Sequence, residues 1–220
     1  MKNIYCIGGL GADSRIFQNI NIPNHNLVFV EWIPPYKNES LDQYSSRLFK
    51  SFAANDINII IGVSFGGMIA VELSRLTKVK TIILISSAKT SSDLPIHIKL
   101  GKLFNICKII SFFPFTAIYY FSSFLFGLES PSDRKIFKNI ILDSDKSFLT
   151  WASCQIAKWK FKKPKKNIIS IHGTSDRILP FSRSIHHDYI IKKGGHFMIF
   201  NKSKEINSIL NDILNKRHIT

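Results

Sequence analysis

The stretch Ile57-Asn58-Ile59-Ile60-Ile61-Gly62-Val63-Ser64-Phe65-Gly66-Gly67 decides how the rest of the chain is read. Its first half is a β-branched run of the kind that a parallel strand buried on both faces requires. Its second half is glycine-rich and opens an apolar helical pattern that runs from Ser64 to Leu76. A serine framed as Gly62-x-Ser64-x-Gly66 at such a junction predicts a turn so sharp that the serine backbone is strained. Side chains at the two glycines would then strike neighbouring backbone. The turn lifts the Ser64 hydroxyl above the sheet, beside the unpaired N–H groups that begin the helix. The bland alternative makes Ser64 a helix N-cap and nothing more.

Working outward, strands and helices alternate. Ile4-Tyr5-Cys6-Ile7 reads as a strand ended by Gly8-Gly9-Leu10-Gly11, with Asp13 or Ser14 capping a short helix from Arg15 to Asn19. Leu27 to Trp32 is a second strand, Ser40 to Ala54 a helix, Ile57 to Val63 the third strand and Val79 to Ser86 the fourth. The rhythm returns with strands at Asn167 to Ile171 and Tyr189 to Ile191 and a last helix from about Ser203 to Asn215. This order predicts an α/β fold: a mainly parallel sheet of about six strands with helices on both faces. Residues 91–160 read as a helical insertion, a cap or lid, between core segments 1–90 and 161–220.

A serine hydroxyl needs a base, and the base needs a third group to orient it. Asp176 follows the fifth strand in His172-Gly173-Thr174-Ser175-Asp176, and His196 follows the sixth in Gly194-Gly195-His196. Both loops lie at the carboxyl edge, as Ser64 does. Competing residues are His172, expected to pack beneath its loop, and the pair His186-His187, expected at the opposite edge. Asp188 and Asp93 are the alternative acids.

The elbow and the order Ser, Asp, His resemble the α/β-hydrolase fold superfamily over almost the whole chain. The resemblance implies a small member that lacks the first strands of that fold. It also implies Ser64 as nucleophile, Asp176 as acid, His196 as base, and the Leu10 and Phe65 backbone N–H groups as oxyanion donors. Gly8 stands where a histidine is common, which leaves a role that uses backbone N–H intact. The implied activity is cleavage of a carboxylic ester, through an acyl-enzyme and without cofactor. No dinucleotide or phosphate loop and no metal-ligand spacing is present. The bond class and the substrate stay open, as does a non-catalytic ligand-binding role.

The composition narrows partners without naming one. The 220 residues are 45% hydrophobic and carry 30 Lys plus Arg against 15 Asp plus Glu, a formal charge of +15. This excludes a mainly disordered chain. Ile109 to Leu128 is free of charge, yet Pro114 and the scattered Ser, Thr and Tyr argue against a membrane span. Phe112, Phe113, Phe115, Tyr119, Tyr120, Phe121, Phe124 and Phe126 are expected to line a channel for a hydrophobic acyl group. The run from Lys158 to Lys166 interleaves six lysines with Trp159 and Phe161. It reads as a solvated connector; the alternative is a dock for an acidic carrier protein or an anionic membrane surface, and nucleic acid is not expected. Cys6, Cys107 and Cys154 form no Cys-x-x-Cys pair, so no disulfide framework and a reduced, cytoplasmic chain are expected.

Overall fold

The computed structural model describes residues 2–52, 58–100, 122–161 and 167–216. Six strands form one sheet: β1 (Lys2–Ile7), β2 (His25–Val30), β3 (Ile59–Val63), β4 (Thr81–Ile85), β5 (Ile168–Gly173) and β6 (Tyr189–Ile191). Their order is β2-β1-β3-β4-β5-β6, and every pairing is parallel. The β-branched runs form strands because isoleucine and valine restrict χ1 and pack well on a pleated surface.

Alternation along those strands gives the sheet two apolar faces. Ile4, Cys6, Ile59, Ile61, Ile83, Ile85, Ile169 and Ile171 share one core with the C-terminal helix Ser203–Lys216 and the helix Pro131–Asp143. Tyr5, Ile7, Ile60, Ile82, Leu84 and Ile168 share the other with α1 (Leu41–Phe52) and α2 (Phe65–Leu76). Between β4 and β5 the described residues include the helices Ile96–Leu100, Pro131–Asp143 and Lys146–Lys158. The expected helix near Arg15 is a single 3₁₀ turn, Ser14–Phe17, with the Asp13 side chain accepting from the Arg15 N–H.

Register sets the site. Ile7 lies opposite Gly62, Val63 opposite Ile85, Ile85 opposite Ile171 and Gly173 opposite Ile191. The loops after β1, β3, β5 and β6 therefore leave the same edge. The chain steps from β1 out to β2 and then to β3 on the other side of β1, so the order reverses between β1 and β3. In open α/β sheets a crevice forms at such a reversal, and here Gly8–Gly11 and Ser64 flank it.

One expectation needs correction. Cys6 is free and buried, but Cys154 is disulfide-bonded, against the reading of wholly unpaired cysteines. Trp159 and Phe161 are buried and stacked on each other with centroids 5.9 Å apart, so they offer no exposed aromatic face between lysines. Lys162 to Lys166 lie outside the described residues, as do Phe112, Phe113, Phe115, Tyr119, Tyr120 and Phe121. Among the described residues no helix is long and apolar enough to cross a membrane.

Candidate active site

Ser64 sits between β3 and α2 at φ 51°, ψ −117°, a left-handed conformation that serine adopts only under constraint. The constraint comes from both sides. A Cβ on Gly62 would meet the Gly67 backbone, and one on Gly66 would run into the carbonyls of Ile7 and Gly8. Ser64 itself is anchored through its peptide groups. Its N–H donates to the Ile85 carbonyl at 3.0 Å, and its carbonyl accepts the Ser87 hydroxyl at 2.7 Å. Ser64 stands at the N-cap position of α2, but its side chain makes no capping bond to the helix, so the hydroxyl is not used as a cap. The side chain is left partly exposed above buried neighbours.

Ser64, His196 and Asp176 are brought together. The Ser64 Oγ lies 2.9 Å from His196 Nε2, and His196 Nδ1 lies 2.8 Å from Asp176 Oδ2. A carboxylate only accepts, so Nδ1 carries the imidazole proton and Nε2 is free to accept from the serine. Asp176 Oδ1 accepts two further bonds, from the N–H groups of Ile178 at 2.9 Å and Leu179 at 2.8 Å. Burial pushes the Asp176 pKa up, but the adjacent His196, with help from the Leu179 N–H, outweighs it and holds the carboxyl below its ordinary range. Gly194 and Gly195 let the loop turn tightly, with the Gly194 carbonyl accepting from Ser175 N–H at 2.9 Å. The Phe126 ring stands edge-on to His196 at 5.4 Å.

The loop after β1 passes close over the serine, since a methyl placed on Gly9 would lie 3.6 Å from Ser64 Cβ. Its shape is fixed from behind by Trp32 Nε1, which donates to the Ala12 carbonyl at 2.9 Å, and by the Ser144 hydroxyl on the Gly11 carbonyl at 2.9 Å. Among the described residues the backbone N–H groups of Leu10 and Phe65 have no hydrogen-bond partner. Unpaired N–H groups flanking a serine can receive a developing oxyanion.

The competing residues are occupied elsewhere. His172 gives its Nε2 to the Leu179 carbonyl at 2.8 Å. His186 is largely exposed beside Asp188. His187, expected at the opposite edge, instead stacks on the His172 ring at 4.5 Å. The reason is that β6 is only three residues long and pairs Ile190 with His172, which carries its leading residues up against β5. Asp188 binds Lys89 and the Ser170 N–H, and Asp93 closes the capping box at Thr90. Sequence reasoning missed Ser87 as an anchor of the elbow and Phe126 as a neighbour of His196. Only spatial proximity reveals either. Among the described residues no group of three or more His, Cys, Asp or Glu is placed to hold a metal ion.

No protein-family model and no curated protein matches the sequence. Solved structures do match. A thermophilic esterase from Thermogutta terrifontis superposes with a TM-score of 0.76 at 13% identity, over 98% of this chain and 90% of that one. An esterase from Exiguobacterium antarcticum gives 0.71 at 13% identity, over 98% and 92%. A meta-cleavage product hydrolase from Pseudomonas fluorescens gives 0.70 at 14% identity, over 99% and 92%. The chain has the α/β-hydrolase fold. Within that α/β-hydrolase fold the Ser64 elbow, Asp176 and His196 stand on three loops of the sheet's carboxyl edge.

Proposed function

We propose that the protein is a serine hydrolase that cleaves a carboxylic ester through an acyl-enzyme. The observation that carries this is the unbroken relay Ser64 Oγ, His196 Nε2, His196 Nδ1, Asp176 Oδ2, with links of 2.9 and 2.8 Å. Ser64 Oγ attacks the carbonyl carbon as its proton passes to His196 Nε2, and the C=O electron pair becomes an oxyanion held by the Leu10 and Phe65 N–H groups. Collapse of that intermediate breaks the ester C–O bond, and His196 protonates the departing alcohol. Water then attacks the acyl-enzyme, gives its proton to His196, and the second collapse returns that proton to Ser64 as the acid leaves. Asp176 holds the imidazole tautomer and balances its positive form. The solved structures of similar fold include esterases, which supports hydrolytic chemistry and leaves the bond to be found by assay.

A hydrophobic acyl group is favoured by Phe126 beside His196 and by the Phe-rich insertion. The test is a panel of p-nitrophenyl esters from acetyl to long acyl, run on wild type and Ser64→Ala. Hydrolysis by wild type that rises with chain length and vanishes in Ser64→Ala supports the reading. Unchanged hydrolysis in Ser64→Ala sinks it, and indifference to chain length removes the acyl preference. The +15 charge favours a second reading, in which the acyl group arrives on an acidic carrier protein.

A further inference from the structure

His172 takes no part in the relay from Ser64 to Asp176, yet it touches the loop that builds the acid. Its residue is 3% exposed, and its Nε2 lies 2.8 Å from the Leu179 carbonyl oxygen and 3.8 Å from Asp176 Oδ2. A carbonyl only accepts, so Nε2 carries the proton and donates to Leu179. The other nitrogen, Nδ1, is buried without a hydrogen-bond partner among the described residues. A second proton there would be an unsatisfied donor on a buried cation. Burial holds the His172 pKa below its ordinary value, with Leu179 and Asp176 opposing and the His196 charge adding to the fall. The titratable and charged groups around this ring and its stacked neighbour His187 are Asp176, His196, Lys89, Asp93 and His186.

Leu179 is therefore gripped at both of its peptide groups. Its carbonyl is held by His172, while its N–H donates to Asp176 Oδ1 at 2.8 Å. With Oδ1 fixed by Leu179 and Ile178, Oδ2 is the oxygen presented to His196. We propose that His172 is a positioning residue for Asp176: by holding the Leu179 carbonyl it locks residues 176–179 in the shape that aims one carboxylate oxygen at His196 Nδ1. Burial disfavours a positive charge on His172, which limits its competition with His196 for the carboxylate. This inference rests on the proposed hydrolase reading and extends it to a residue outside the triad.

The test uses the full chain with His172→Leu, which removes the donor, and His172→Gln, whose amide N–H can still reach Leu179. His172→Leu is expected to lower kcat about ten- to a hundredfold with KM within about twofold, the scale that small misplacement of catalytic groups causes. The acidic limb of the kcat/KM profile should move to lower pH, because a misplaced Asp176 gives less support to positive charge in the relay. His172→Gln should recover most of kcat and return the limb. In parallel, the low-field proton NMR signal of His196 Nδ1–H should be lost or broadened in His172→Leu and kept in His172→Gln. That signal needs no substrate, so it decides the role of His172 even if wild type hydrolyses no ester, a result that would instead remove the hydrolase reading. Unchanged kcat and pH limb in His172→Leu overturn the proposal, and so does a His172→Gln variant as impaired as His172→Leu. Should the leucine variant not fold, His172→Asn, too short to reach Leu179, takes its place against His172→Gln.

Discussion

At Ser64 the backbone conformation and the chemistry are one feature. A φ of 51° is tolerated because glycine at 62 and 66 lets strand and helix close around it, and the same turn aims Oγ at His196. Replacing Asp176 with Asn keeps the hydrogen-bonded shape but favours the tautomer that puts a proton on Nε2, where Ser64 must deliver its own. Asp176→Asn is expected to cut kcat by at least roughly a thousandfold with KM little changed, as initial rates will show. His187 tests the neighbourhood of His172 from outside the relay. Burial first, then the neighbouring His172 and Lys89, lowers its pKa from 6.5 to about 4. The unfolded chain therefore takes up a proton that the folded chain refuses. Stability from this residue is complete above about pH 6.5, falls as pH drops toward 4 and levels off below. Urea titrations of His187→Asn should show a shallower loss across that window than wild type, and an equally steep loss would contradict the assignment.

Among the elements, the elbow and the seam between α2 and the helix Lys146–Lys158 carry separate predictions. In Gly66→Ala the added carbon meets the Ile7 and Gly8 carbonyls, which cannot swing away as a flexible side chain could. A loss above about 2 kcal/mol in denaturant unfolding is expected, together with loss of ester hydrolysis. At the seam, the Trp159 Nε1–H donates to Glu72 Oε1 at 2.8 Å, and burial raises the Glu72 pKa despite that bond. Trp159→Phe keeps most of the ring packing and leaves Glu72 Oε1 without its donor, with Arg75 3.5 Å from Oε2, at a cost of about 1–3 kcal/mol. An unchanged unfolding midpoint would show that water replaces the indole. The elbow was legible in the sequence because its glycines stand two residues to either side of Ser64, although the backbone that Gly66 must clear belongs to Ile7 and Gly8, far off in the chain. Asp176 and His196 were legible because loops after parallel strands must share an edge. The contact of His187 with His172 was hidden by the pairing of a three-residue strand. The burial of Trp159 was hidden because its partner lies 87 positions away, and no period or propensity encodes that distance.

For the molecule as a whole, six parallel strands bring one edge together, and the formal charge of +15 acts through its field. A field of this size has little hold on a small neutral ester and a strong one on a polyanion. Hydrolysis of a neutral p-nitrophenyl ester is expected to stay within about twofold as salt rises from roughly 0.05 to 0.5 M, where the screening length falls several-fold. If the carried-acyl reading is right, activity on an acyl group attached to an acidic carrier falls steeply over the same range. Equal salt responses would remove the carrier. The reading of the whole structure rests on a single activated hydroxyl. The most direct measurement is intact-mass analysis after exposure to a fluorophosphonate, which reacts with a serine whose base and oxyanion donors are in place. Wild type is expected to gain one adduct on Ser64, with Ser64→Ala gaining none. An unlabelled wild type, or a Ser64→Ala variant labelled at the wild-type rate, would contradict Ser64 as the nucleophile.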